Sequence, residues 1–183
     1  MVALPLARGL DARAQTVVPA APVAPPPLSP EDALHARFAG TYVPAPGVPN
    51  NARIDEGIEH AVQELFFAIR PIARSRIRAG NPLFPNVTIA FRDHRIDIDS
   101  PPVYARSPES GAASTMTGLD HEVNNVTQRF DRGDLVQTCW NSAGRRVTRF
   151  VLSPDGTQLR LHVEITAPQL PVAVRYTLLF ARR

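Results

Sequence analysis

Between Val87 and Phe180 the chain repeats one pattern: short runs of β-branched, aromatic and aliphatic residues, each broken by a polar turn. VTIAF and RIDID flank RDHR, VNNVTQRF and LVQTCW flank DRGD, and GRRVTRFVL and QLRLHVEIT flank SPDG. APQLP then leads into VAVRYTLLFA. Runs this short, joined by turns this tight, pair with their neighbours as an antiparallel meander, since a parallel return needs a crossover of roughly a dozen residues. With FAGTYV and the weaker PVYAR and ASTMTG pieces included, the meander has about eight to ten strands. A sheet of that size closes into a barrel or must protect an exposed edge.

Alternation assigns the faces. Leu159, Leu161, Val163 and Ile165 share one side of their strand, and Arg160, His162 and Glu164 share the other. In the last strand Val174, Tyr176, Leu178 and Phe180 oppose Arg175, Thr177 and Leu179, so that strand is apolar on nearly both sides and should be covered twice. The first half of the chain reads differently. Ser29-Pro30-Glu31-Asp32 is a helix opening, with serine as N-cap, proline in the first turn and acids facing the dipole; a short helix runs from Pro30 to about Phe38. From Asp55 the apolar residues Ile58, Val62, Leu65 and Ile69 recur at helical spacing, which predicts an amphipathic helix kinked at Pro71 and ended by Gly80. The fold class is therefore mainly β: an antiparallel barrel with one kinked amphipathic helix, over residues 55–79, inserted near its start.

Residues 1–28 are set apart by composition. VVPAAPVAPPPLSP cannot pack into helix or sheet and is expected to be an extended spacer, and Ala12-Arg13-Ala14 before Gln15 has the small-x-small form of a signal-peptidase site. The expectation is an exported (periplasmic or extracellular) protein with a single domain over residues 29–183. No apolar run approaches the roughly 20 residues of a membrane span. All 20 basic residues are arginine, as a GC-rich coding bias produces, and the net charge is only +3. Acidic residues are spread among them, which argues against nucleic-acid binding.

The polar motifs point to no catalytic group. Glu56, His60 and Glu64 align at i, i+4 and i+8, opposite the apolar stripe, where they make ordinary solvated helix pairs, so no metal site is expected from them. His94, His121 and His162 lack zinc-ligand spacing. The single cysteine, Cys139, reads as a small buried hydrophobe. Trp140, beside it, reads as barrel core or pocket wall. RPIARSRIRAG, residues 70–80, reads first as the basic end of a helix, and second as an anionic-membrane contact together with Phe67. Arg76 stays on the apolar stripe if Pro71 keeps the register, and would then snorkel or meet an acidic ligand at the barrel mouth.

Several of these segments are similar to a known family. Phe38-Ala39-Gly40-Thr41-Tyr42 resembles the F-x-G-T-[WY] opening strand of the calycins, the lipocalins and fatty-acid-binding proteins. GDLVQTCWNSAGRRVTR, SPDGTQLRLHVEI and VRYTLLFARR resemble, in order, the later hairpins and closing strand of fatty-acid-binding proteins, so the likeness spans Phe38 to Arg183. The resemblance implies a calycin-like β-barrel that holds a small apolar or amphipathic ligand without a cofactor. In the family, an R-x-Y pair points inward to hold a carboxylate. Arg175 and Tyr176 are adjacent here, so only one can face the lumen. The resemblance then implies Arg149 as the inward ionic anchor, with Tyr176, Trp140 and Arg76 as further ligand contacts. The other face of that strand, Thr148, Phe150 and Leu152, could equally be the lumen. Two alternatives stand beside the lipid-type carrier: a filled barrel acting through its surface, and an enzyme using the pocket.

Overall fold

The computed structural model describes residues 29–183. The spacer and cleavage-site form expected over residues 1–28 lie outside the described residues. The elements follow the chain as α1 (Pro30–Phe38), β1 (Gly40–Pro44), α2 (Asn50–Val62), α3 (Arg70–Ala79), β2 (Val87–Arg92), β3 (Arg95–Ser100) and β4 (Val103–Pro108). After them come β5 (Ser114–Thr117), β6 (Val123–Asp131), β7 (Asp134–Trp140), β8 (Arg145–Leu152), β9 (Gln158–Thr166) and β10 (Val174–Arg182). The strands form one antiparallel sheet in the order β4-β3-β2-β1-β10-β9-β8-β7-β6-β5. Its two end strands, β4 and β5, lie side by side without pairing, so the sheet is a nearly closed barrel with one seam.

The turns explain why the meander folds in this register. Asp93 and His94 join β2 to β3 with both φ angles positive, at 50° and 58°, and Arg132 and Gly133 join β6 to β7 at 55° and 88°. Two consecutive positive φ angles make the two-residue turn whose twist matches that of paired strands. The hairpins are thereby fixed at Arg92↔Arg95 and Asp131↔Asp134. Alternation then sends Leu159, Leu161 and Val163 of β9, and Val174, Tyr176, Leu178 and Phe180 of β10, into the interior.

The seam is bridged by side chains. Gln128 on β6 is fully buried; its Oε1 accepts from the Ser107 hydroxyl at 2.9 Å, and its Nε2 donates to the Ala105 carbonyl at 3.3 Å. Both partners belong to β4, so one amide replaces part of the missing ladder.

One end of the barrel is plugged by α1. Ser29 caps it, accepting from the Asp32 N–H at 3.0 Å, and Phe38 packs edge-on against Phe130, centroids 5.5 Å apart. Arg182, at the end of β10, locks this base: it donates to the Ala39 carbonyl (3.0 Å), the Gly156 carbonyl (2.9 Å), the Tyr42 hydroxyl (2.7 Å) and the Arg37 carbonyl. Burial pushes the Tyr42 phenol pKa up, against the opposing pull of the Arg182 charge.

The single kinked helix expected over residues 55–79 is two helices, α2 and α3, joined by residues 63–69. A helix continuing through Pro71 would strand the Phe67 carbonyl and clash with the proline ring, whereas proline in a first turn starts a helix well. The apolar stripe breaks accordingly. Ile58, Val62 and Leu65 are buried, but Ile69 is 47% exposed. The helix also begins earlier than Asp55, because Asn50 has a docking role. β1 pairs with Phe180–Arg182 of β10 and the Ala45 N–H reaches the Leu179 carbonyl at 3.0 Å, beyond which the ladder between the two strands ends. Asn50 closes it with a pair of bonds, Nδ2 to the Leu179 carbonyl at 2.8 Å and the Leu179 N–H to Oδ1 at 3.0 Å.

Candidate functional site: a cavity with a polar end beside Asn81

The base of the barrel is filled; its opposite half is not. A cavity of about 340 Å³ lies above a floor of Phe150, Leu161, Leu178 and Phe180. Ile98, Ala105 and Met116 add apolar wall, and Gln137, Thr148 and Arg146 add polar groups. Its mouth lies between the Asn81–Phe84 connector after α3 and the loops at Gly118–Asp120 and Asn141–Arg145.

Three polar side chains converge where α3 ends. The Asn81 amide Nδ2 donates to the Ile77 carbonyl at 2.8 Å and so caps the helix. Its Oδ1 accepts from the Tyr176 hydroxyl at 3.1 Å and from Arg146 Nη1 at 3.2 Å. An oxygen that receives a guanidinium and a phenol is placed as one oxygen of a bound carboxylate would be. Arg146 has no carboxylate partner among the described residues, although it is half-buried. A desolvated guanidinium without a counter-charge is costly, and a neutral amide offsets only part of that cost.

Of the four residues picked out in the sequence, Tyr176 alone reaches this site, through its hydroxyl on Asn81 and not as a wall of the cavity. Arg175 turns outward to Glu164, Nε to Oε2 at 2.7 Å, as strand alternation requires. Arg149 lies on the outer face, the reverse of its expected direction. It donates to Asp131 Oδ2 at 2.6 Å and Asp134 Oδ2 at 3.1 Å, the two carboxylates flanking the Arg132-Gly133 turn. Register is the cause: β8 sends Thr148, Phe150 and Leu152 inward, and Arg146 continues that set two residues earlier. Trp140 is also outside, in a surface hollow with Thr127, Arg129, Val136, Thr138 and Arg145, because Leu135, Gln137 and Cys139 take the inward positions of β7.

Arg76 is exposed rather than turned to the mouth, because the restart at Pro71 changes the helical register. The other arginines of that segment hold α3 in place. Arg74 pairs with Glu59 and Arg78 with Asp55, each at 2.7 Å, and Arg70 Nε donates to the Leu65 carbonyl at 2.9 Å. Glu56, His60 and Glu64 are exposed. Cys139 lines the cavity, 3.6 Å from the Met116 sulfur, and burial pushes its thiol up to about 11 despite the nearby Arg146 charge. At that value it is a neutral thiol, not a nucleophile.

Arg146 and Asn81 went unread in the sequence. The signal for Arg146 was the alternation through Thr148, Phe150 and Leu152; for Asn81 it was Gly80-Asn81-Pro82, a helix end that must satisfy its carbonyls.

The fold defines a class: a nearly closed, ten-stranded antiparallel barrel with a helical pair between its first two strands, the calycin architecture of fatty-acid-binding proteins. No protein-family model matches the chain, and no curated protein matches it in sequence. Solved structures do. Apo lipid binding protein 8 of Caenorhabditis elegans is similar at a TM-score of 0.51 and 12% identity, over 81% of this chain and 96% of that one. A Schistosoma mansoni fatty-acid-binding protein in complex with arachidonic acid is similar at 0.50 and 14%, over 81% and 98%.

Proposed function

We propose that this barrel binds a small amphipathic ligand with an acidic head, of the fatty-acid type. The carrying observation is an inward guanidinium, Arg146, that lines the cavity above an apolar floor and whose side-chain hydrogen bond goes to an amide oxygen, with no carboxylate paired to it among the described residues. A ligand carboxylate would displace Asn81 Oδ1 and take bonds from Arg146 and Tyr176, while its chain lies against Phe150, Leu161 and Leu178. The volume falls at the small end of the usual range for ligand sites, roughly 300–1,000 Å³. The filled-barrel alternative explains the packed base but gives no reason for an unpaired arginine in the upper half. Displacement of a fluorescent apolar acid by fatty acids, compared with the matching alcohols, tests the reading. Acids displacing the dye at least tenfold better than alcohols support it; equal displacement, or no dye binding, opposes it.

Export belongs to the same proposal, supported by Ala12-Arg13-Ala14 and the proline-rich segment after it. N-terminal sequencing of the protein from its own host is the test: a chain beginning at Gln15 supports export, and an intact start in the cytosolic fraction opposes it. A second observation favours contact with an anionic bilayer during ligand transfer. Phe66 and Phe67 are 66% and 70% exposed on the α2–α3 connector, with Ile69, Ile72 and Arg76 exposed beside them. Flotation with phosphatidylglycerol vesicles, lost in Phe66→Ser/Phe67→Ser, is the expected result; equal flotation of the variant would sink this contact.

A further inference from the structure

We infer that the plugged end of the barrel holds a divalent first-row transition metal of the zinc class, bound by Glu31, His35 and Glu109. Glu31 and His35 stand at i and i+4 on α1 and so project from one helix face. Glu109 follows β4 directly, and its N–H donates to the His94 carbonyl at 3.0 Å, which fixes it against the β2–β3 turn. One ligand atom from each of the three residues lies within 4.8 Å of the other two. His35 Nε2 is buried and has no hydrogen-bond partner, although Glu109 Oε1 is only 3.4 Å away. The ring is held where it is by stacking on Phe91, centroids 4.2 Å apart and planes within 10°.

This geometry is poor for a hydrogen bond and good for a metal. A charge-assisted N–H···O bond closes to roughly 2.7–2.9 Å. Two ligands each about 2.0–2.1 Å from a tetrahedral zinc stand roughly 3.3 Å apart. One imidazole with two carboxylates favours zinc-class ions over magnesium or calcium, which take oxygen alone, and three protein ligands leave a fourth position for water. The ion would tie α1 to the end of β4, beside the unpaired seam, and so clamp the base in the folded state.

The test uses the full chain, stripped with EDTA and dialysed. Added Zn²⁺ is expected to bind one per chain and to raise the melting temperature by roughly 5–10 °C at a hundred times its dissociation constant, with Ca²⁺ and Mg²⁺ inactive. Glu109→Gln and His35→Gln should each abolish that stoichiometric binding, and His60→Gln should leave it unchanged. No zinc binding, equal response to Ca²⁺, or binding that survives in both site variants overturns the inference. Should a variant fail to fold, ¹⁵N NMR of the wild type decides. Zinc must then move the His35 ring nitrogen resonance; movement of another histidine's resonance in its place overturns the site.

Discussion

Arg146 and Arg149 sit three residues apart on one strand and meet opposite partners. Arg149 lies outside between two carboxylates, and its hydrogen bond holds the Asp131 carboxyl below the usual carboxylate range. Because that pKa is lowered by folding, the pair contributes stability above the ordinary carboxylate range and loses it as pH falls through the lowered value. The residues are solvated, so the contribution is small. Arg149→Leu should therefore melt slightly below wild type at pH 7, and the gap should close in acid; a gap that persists at low pH would mean the arginine acts through packing instead. Arg146 is the reverse case. Losing a charged hydrogen bond to a ligand costs about 1.5–3 kcal/mol, so on the proposed function Arg146→Leu should weaken the binding of a fatty acid by roughly ten- to a hundredfold. Arg149→Leu should leave it within about twofold, and titration calorimetry of both variants checks the pair. The sequence carried the information needed to choose between them. Thr148, Phe150 and Leu152 stood as one of two candidate lumen faces, and Arg146 is in phase with them, whereas a short family motif drew the anchor to Arg149, out of phase. The helix end at Gly80-Asn81-Pro82 announced a cap at Asn81 but not its second role, which depends on Tyr176, 95 positions away in the chain.

The strands were legible for a reason the helices were not. Alternation with turn residues is a local signal, and Arg92↔Arg95 or Asp131↔Asp134 follows from the turn itself. The apolar stripe of α2 continues through Leu65 to Ile69 in sequence, yet the helix stops at Val62, because Leu65 is buried by tertiary packing rather than by helical phase. What seats α2 is a close approach to β10, and Gly57 makes that possible. A Cβ there would lie 2.3 Å from the Arg175 carbonyl oxygen and 3.2 Å from Tyr176 Cβ. Alanine is the better helix former by about 1 kcal/mol, but the clash is with backbone and cannot be relieved by a rotamer. Overpacking wins, and Gly57→Ala should destabilise by about 1–3 kcal/mol as the helix lifts from the strand. Urea unfolding with an unchanged slope reads this directly. A variant more stable than wild type would mean that α2 does not rest on β10 at this distance. The lift would also shift α3 and Asn81, so ligand affinity should fall along with stability.

At the scale of the whole molecule, a ten-stranded barrel with one unpaired seam has an interior of two kinds: a packed base at Arg182 and α1, and a cavity in the opposite half, beside the Asn81–Phe84 connector. The seam between β4 and β5 is the place where such a barrel is weakest, since backbone groups there lack a ladder. The buried Gln128 answers that need with its amide, joining Ser107 and Ala105 across the gap. Gln128→Leu keeps the side-chain size but strands the Ser107 hydroxyl and the Ala105 carbonyl in an apolar setting. Each buried polar group left without a partner costs about 1–3 kcal/mol, so this substitution should lower stability by at least that much. Ser107→Ala alone strands only Gln128 Oε1 and should cost about 1–3 kcal/mol. In the double variant the hydroxyl is no longer there to be stranded, so the two losses should fail to add, with a coupling of about 0.5–3 kcal/mol in a double-mutant cycle. Strict additivity would mean that the two side chains do not meet in solution, and that the seam is held by apolar packing alone.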